Sequence, residues 1–270
     1  MPQAFRRFPL GLALALVLLL AASPACGAEA WAFRFDARNF NSAWHDDLSF
    51  HNTTDQDAVV RLLGVSNGTI DQGTPLDVTV PARRTVSLSD LFGIWQVQVE
   101  SNLWVERFEV PEGVLVTSRA GLHFECPSPC GAPPNPRPDL GAVAMPVFRS
   151  LTPAGTRQFH FGADLGAQPA RSNVGIYNAG GAAGTATVAL YRACDDVLLG
   201  SRTVTVPPNF ALQVGFPSDA GAPACSDQSK LNTWLRYVTV TIDQPSLTYV
   251  FSVLEDVNSI PHLPFGLAGF

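Results

Sequence analysis

Lysine is almost missing from this chain: among its 17 basic residues only Lys230 is a lysine. Charge of either sign is thin, at 15% of residues, and the balance is −6. With no cationic run, the chain offers little to a nucleic-acid backbone or to an anionic membrane surface. No stretch of ten residues carries the apolar period of an amphipathic helix, which leaves strands to build the core. No apolar segment, the N-terminal run included, is long enough to cross a bilayer, so none is expected in the mature chain. The arginine-only bias, with abundant Ala, Gly and Pro, is what a GC-rich bacterial genome produces.

What is present begins with an export signal over residues 1–30. Arg6 and Arg7 open it, Leu10 to Ala22 form an apolar run too short to span a membrane, and Ala28-Glu29-Ala30 offers the small-x-small pattern of a cleavage site. The Arg6-Arg7 pair resembles a twin-arginine signal, but Pro9 stands where that route wants a large apolar residue, which favours general secretion. The expected location is secreted, periplasmic or cell-surface. Cys26 is a lesser candidate for lipid attachment, since Ser23-Pro24-Ala25 before it matches a lipoprotein box poorly. The remaining Cys126, Cys130, Cys194 and Cys225 suit two disulfides in an exported chain. Of the three connectivities, Cys126 with Cys130 and Cys194 with Cys225 keeps each bond within one half of the sequence.

The halves resemble each other. Asp77-Val78-Thr79-Val80-Pro81 is answered 126 positions later by Thr203-Val204-Thr205-Val206-Pro207, and the same shift carries Leu48, Phe50 and Asn52 onto Val174, Ile176 and Asn178. Alternating apolar and polar residues mark strands at 33–38, 76–80, 96–100, 203–206 and 238–242, with 247–253 more continuously apolar. Ser66-Asn67-Gly68, Asn178-Ala179-Gly180-Gly181 and Asp195-Asp196 supply turns between them. Six prolines between Pro127 and Pro138 mark a stiff linker. The expectation is an all-β chain of two tandem antiparallel β-sandwich domains, at 31–145 (its linker 126–145) and 146–270.

The segments Arg171 to Asn178, Ala189-Leu190-Tyr191, Val204 to Pro208 and Tyr249 to Val253, matched more loosely by Leu48 to Asn52, Val78 to Pro81 and Leu115 to Arg119, resemble an Ig-like domain found in tandem in bacterial secreted and surface proteins. That family is mostly without assigned function. The resemblance implies Ig-like sandwiches in an extracellular setting and supplies no active-site residue. Two stretches depart from it: residues 102–109, read as extra in the first half, and a longer loop from Phe216 to Trp234 in the second, which contains Cys225.

Several constellations carry competing readings. Gly64-Val65-Ser66-Asn67-Gly68 fits the Gly-x-Ser-x-Gly of a hydrolase elbow, yet no helix pattern follows and Asn67-Gly68 is a hairpin signal. His123, Cys126 and Cys130 could hold zinc, although a disulfide is the commoner use of such cysteines, and no metal site is assigned. Asp46, Asp47, Asp55 and Asp57 could share calcium but match no defined calcium loop. Trp31, Phe33, Phe35, Phe40 and Trp44 form either core or a sugar-stacking platform, with Phe33 and Phe35 read as buried. Trp104 and Phe108 are the residues expected to bind a ligand, because their segment reads as an insertion.

The function expected from these features is that of a non-catalytic extracellular structural or binding (adhesion-type) module, not an enzyme and without a cofactor. Its expected partner is another cell-surface protein or a glycan. The alternative is a secreted hydrolase or metal-dependent protein with a site near His123 or Ser66.

Overall fold

A computed structural model of the chain describes residues 27–35, 38–39, 42–68, 73–89, 103–123, 142–164, 170–215, 235–254 and 265–266. Their regular structure is entirely β. Side-chain alternation explains why. Along Ala58–Ser66 the inward Val60 and Leu62 are buried while Val59 and Arg61 face water, a period of two that suits a sheet with one covered face.

The first strands are β1 (Ala28–Phe35), β2 (Arg38–Asn39), β3 (Ser42–Asn52), β4 (Ala58–Ser66), β5 (Leu76–Val80), β6 (Thr85–Ser89), β7 (Leu103–Val110), β8 (Val114–His123), β9 (Ala142–Met145) and β10 (Val147–Phe148). They form one sheet in the order β10-β1-β7-β4-β5 and a second in the order β2-β3-β8-β9, with β6 also on β3. Leu48 and Phe50 from one sheet meet Val60, Leu62, Trp104 and Phe108 from the other in a common apolar cluster. Phe50 and Phe108 cross it edge to face at 6.0 Å, so the two layers form a sandwich.

The later strands are β11 (Arg157–Asp164), β12 (Ala170–Asn178), β13 (Gly184–Arg192), β14 (Leu198–Val206), β15 (Phe210–Gly215), β16 (Leu235–Ile242), β17 (Ser246–Leu254) and β18 (Phe265–Gly266). Their sheets run β14-β13-β16-β11-β18 and β15-β12-β17. The second core is aliphatic, with Val174, Ile176, Val188, Leu190, Val238 and Val240 at its centre. The pairing diagrams coincide: β1-β7-β4-β5 and β6-β3-β8 in the first half match β11-β16-β13-β14 and β15-β12-β17 in the second. Every pairing is antiparallel.

That match corrects the reading of residues 102–109 as an insertion. β7 is a central strand between β1 and β4, and β16 occupies the same place between β11 and β13. The chain uses residues 90–102 to reach β7 but residues 216–234 to reach β16, so the constant shift of the earlier strands breaks there.

One buried asparagine pins the same corner in each half. The side-chain amide of Asn52 donates to Gln56 O (2.7 Å) and Val80 O (2.9 Å), and its Oδ1 accepts from Thr54 N–H (2.9 Å). Asn178 donates to Ala182 O (2.9 Å) and Val206 O (3.0 Å) and accepts from Gly180 N–H (2.8 Å). Each Asx-turn therefore ties the end of β3 or β12 to the end of β5 or β14, satisfying backbone groups that burial would otherwise orphan.

The halves are joined by a third apolar cluster. Trp31 and Phe33 of β1 and Leu103 and Val105 of β7 point away from the first core and pack with Tyr177, Ala211, Leu247 and Tyr249 of the second half. Phe33 lies 4.5 Å from Tyr249 between ring centroids, and Gly68 N–H donates to Asn209 O at 2.7 Å. Gly175 makes this possible, because a Cβ there would collide with the Tyr249 ring that lies across it. Phe33 is buried, as expected, but against the other half of the molecule.

Candidate functional site

The structure moves the two expected ligand-binding residues indoors. Trp104 is 2% exposed and Phe108 0%, both within the first core. They alternate with Leu103 and Val105 on a central strand, so their parity directs them between the sheets and leaves no ring for a ligand to stack on.

Ser66 closes β4 and is 1% exposed, followed by a bend at Asn67-Gly68. His123 ends β8, where its backbone pairs with Ala43. Cys126, Cys130 and Cys225 lie outside the described residues, as do Phe40, Cys26 and His262; Cys194 is disulfide-bonded.

Three of the four aspartates weighed for calcium have other partners, and the side chain of Asp46 lies outside the described residues. Asp47 pairs with Arg119 at 3.4 Å, Asp55 with Arg83 at 2.8 Å, and Asp57 accepts from Ala82 N–H at 2.9 Å. Among the described residues no group of three His, Cys, Asp or Glu is placed to hold a metal ion.

His160 is buried on the core side of β11. Thr248 Oγ1 lies 2.8 Å from its Nε2 and donates in turn to Gln158 Oε1 at 2.8 Å, so the imidazole supplies the Nε2 proton. Burial lowers its pKa from 6.5 to about 4. It stays neutral and structural across the physiological range.

An aromatic and charged cluster lies on the outward face of β14-β13-β16-β11. Tyr191 of β13 and Tyr237 of β16 stack at 5.1 Å with 8° between planes, and Phe159 of β11 tilts towards Tyr237 at 6.2 Å. Cross-strand register explains the meeting, since Tyr191 faces Tyr237 directly and Phe159 is its diagonal neighbour. The Arg157 guanidinium stands 5.1 Å from the centroids of both Phe159 and Tyr191. Phe159 is 40% exposed and Tyr237, the floor between its neighbours, 8%.

The rim of this face is held in place. Arg192 grips Asp195 through two hydrogen bonds of 2.9 and 2.7 Å, which raises the guanidinium pKa further. Asp196, with a positive φ of 58°, accepts the Tyr237 hydroxyl proton at 3.0 Å. Burial first, and that hydrogen bond second, raise the Tyr237 pKa above 10.0. Arg157 and Arg192, with Asp195 and Asp196, therefore flank the aromatic cluster. None of these residues was singled out from the sequence for binding. The signal was available in the outward parity of Arg157-Gln158-Phe159 and Tyr237-Val238-Thr239, read across strands rather than along them.

Fold and site together define a two-sandwich all-β protein with an aromatic cluster on one sheet face, exposed at Arg157 and Phe159. No family model and no curated protein matches the chain. Among solved structures, a lectin from Pleurotus ostreatus in complex with GalNAc is similar at 11% identity, over 88% of this chain and 77% of that one, with a TM-score of 0.15. So loose a superposition assigns this chain neither a fold family nor a ligand.

Proposed function

We propose that the protein is a secreted, non-catalytic extracellular module of a bacterium, structural or binding (adhesion-type) in role, built from two duplicated Ig-like sandwiches. The observation that carries this reading is the third apolar cluster, in which Trp31, Phe33, Leu103 and Val105 meet Tyr177, Leu247 and Tyr249. Burying a face of each half against the other holds the outer surfaces in one arrangement, which suits a component that presents surfaces to a partner. The repeated pairing diagram and the two equivalent asparagine corners support descent of both halves from one unit. Export through residues 1–30 and disulfides Cys126–Cys130 and Cys194–Cys225 belong to the same proposal, whose partner is a surface protein or a glycan.

Cross-linking the native protein in its own cells and identifying what it captures tests the binding role, with a reproducible surface component as the expected result. A panel of esterase, peptidase and glycosidase substrates tests the non-catalytic part. Turnover that falls on Ser66→Ala or His123→Ala would overturn it.

A further inference from the structure

From the polarity of one sheet face we infer that β14-β13-β16-β11 binds a glycan through a sugar residue that carries a carboxylate. This rests on the binding-module reading and specifies its surface and ligand class.

Equivalent positions in the two halves show what the face is suited to. In the first half they hold Trp31 and Val105 and are covered by the other sandwich. In the second half, pairing places Phe159 where Trp31 stands and Tyr237 where Val105 stands. The covered Trp31 and Val105 are thus answered by rings with polar edges, and Arg157 stands where the first half has Glu29. Arg157, exposed, makes no ion pair with any described residue and lies over two rings. A planar guanidinium held in this way is preorganised to grip a carboxylate bidentately. Asp196 at the rim accepts hydrogen bonds of the kind sugar hydroxyls donate. Beyond Arg157 the cross-strand row continues through Thr241, Thr187 and Thr203, a line of hydroxyls that neighbouring sugar residues can use.

A second copy of the chain is a poorer occupant. The three-stranded face that covers the first half presents Tyr177, Leu247 and Tyr249 and is already buried. Its counterpart, on β6-β3-β8, is polar and bonded to itself, through Ser49 with Ser87 at 2.8 Å and His51 with Thr85 at 2.8 Å.

The test is calorimetric titration of the full-length exported protein with polygalacturonate oligomers, and with neutral dextran oligomers as control. Arg157→Gln and Phe159→Ala are the test variants, and Thr117→Ala, exposed on β8 of the first half, is the reference. Polygalacturonate is expected to bind, about tenfold more weakly in each test variant and more weakly in high salt, with the reference unchanged. Unchanged melting temperatures would show the variants folded. Equal binding of dextran, or no binding of polygalacturonate, would overturn the ligand class. Binding that survives both substitutions would overturn the site while leaving the module reading intact. Concentration-dependent dimers abolished by Phe159→Ala would assign the face to a second copy and overturn the inference.

Discussion

In the first half, the outward face of the sheet that holds β1-β7-β4-β5 carries Trp31, Phe33, Leu103 and Val105 and lies against the second half. In the second half the equivalent face carries Phe159, Tyr191 and Tyr237, with Arg157 over the rings, and remains open in part. The pairing diagram is the same in both, so the backbone does not determine which face is covered. A few outward side chains do. Apolar residues at those positions gain from dehydration and drive docking, whereas a guanidinium and hydroxylated edges would be costly to bury unpaired.

The largest expected effect comes from breaking the covered face. Phe33→Ala removes the ring packed on Tyr249 and is expected to cost about 4 kcal/mol, with urea unfolding separating into two transitions because the joint, not either core, is cut. One unshifted transition would show that the joint contributes nothing.

The asparagine corners test the equivalence of the halves. Asn52→Ala and Asn178→Ala each strand buried carbonyls, of Val80 and Val206, and are expected to lower stability by about 3 kcal/mol. Similar losses in denaturant melts would bear out a common device, and a loss in only one half would break the comparison.

Acid should distinguish the halves, because His160 has no counterpart in the first: Ala32 holds its place beside β7 as His160 does beside β16. Unfolded, the imidazole takes a proton below its ordinary 6.5; folded, it resists to about 4. The unfolded state then binds more protons, so stability is full above about pH 6.5 and falls as pH drops towards 4, by up to about 3 kcal/mol. Melting curves of the parent and His160→Gln over that range should converge as pH falls. Parallel curves would remove His160 from the account.

The smallest effect concerns one turn. Arg83 and Asn209 occupy matching positions with positive φ, 57° and 52°, a region that asparagine tolerates better than arginine. Arg83→Asn is expected to stabilise by about 0.5 kcal/mol, since the exposed pair with Asp55 that it removes contributes little. A lower melting temperature would assign the pair more weight than its exposure suggests.

Much of the fold was legible in the residues. Alternation at 76–80, 203–206 and 238–242 predicted strands where β5, β14 and β16 occur, and the all-β sandwich-type class followed. The alternating stretch at 96–100 lies outside the described residues. One reading failed for an identifiable reason. Trp104 and Phe108 looked like an insertion because unequal connections into β7 and β16 hid their equivalence. The candidate site was hardly legible, since its aromatics come from three strands far apart in the chain.

By itself the sequence determined the local matters: period-two burial, turn positions, the recurring asparagine and the internal match of its halves. These depend on residues near one another or on a constant shift, and a linear reading captures both. Only the tertiary structure decided which aromatics form a core, which weld the halves and which face outward. Those outcomes depend on cross-strand register and on which sheet covers which, and both follow from the balance of burial over the whole molecule rather than from any one segment.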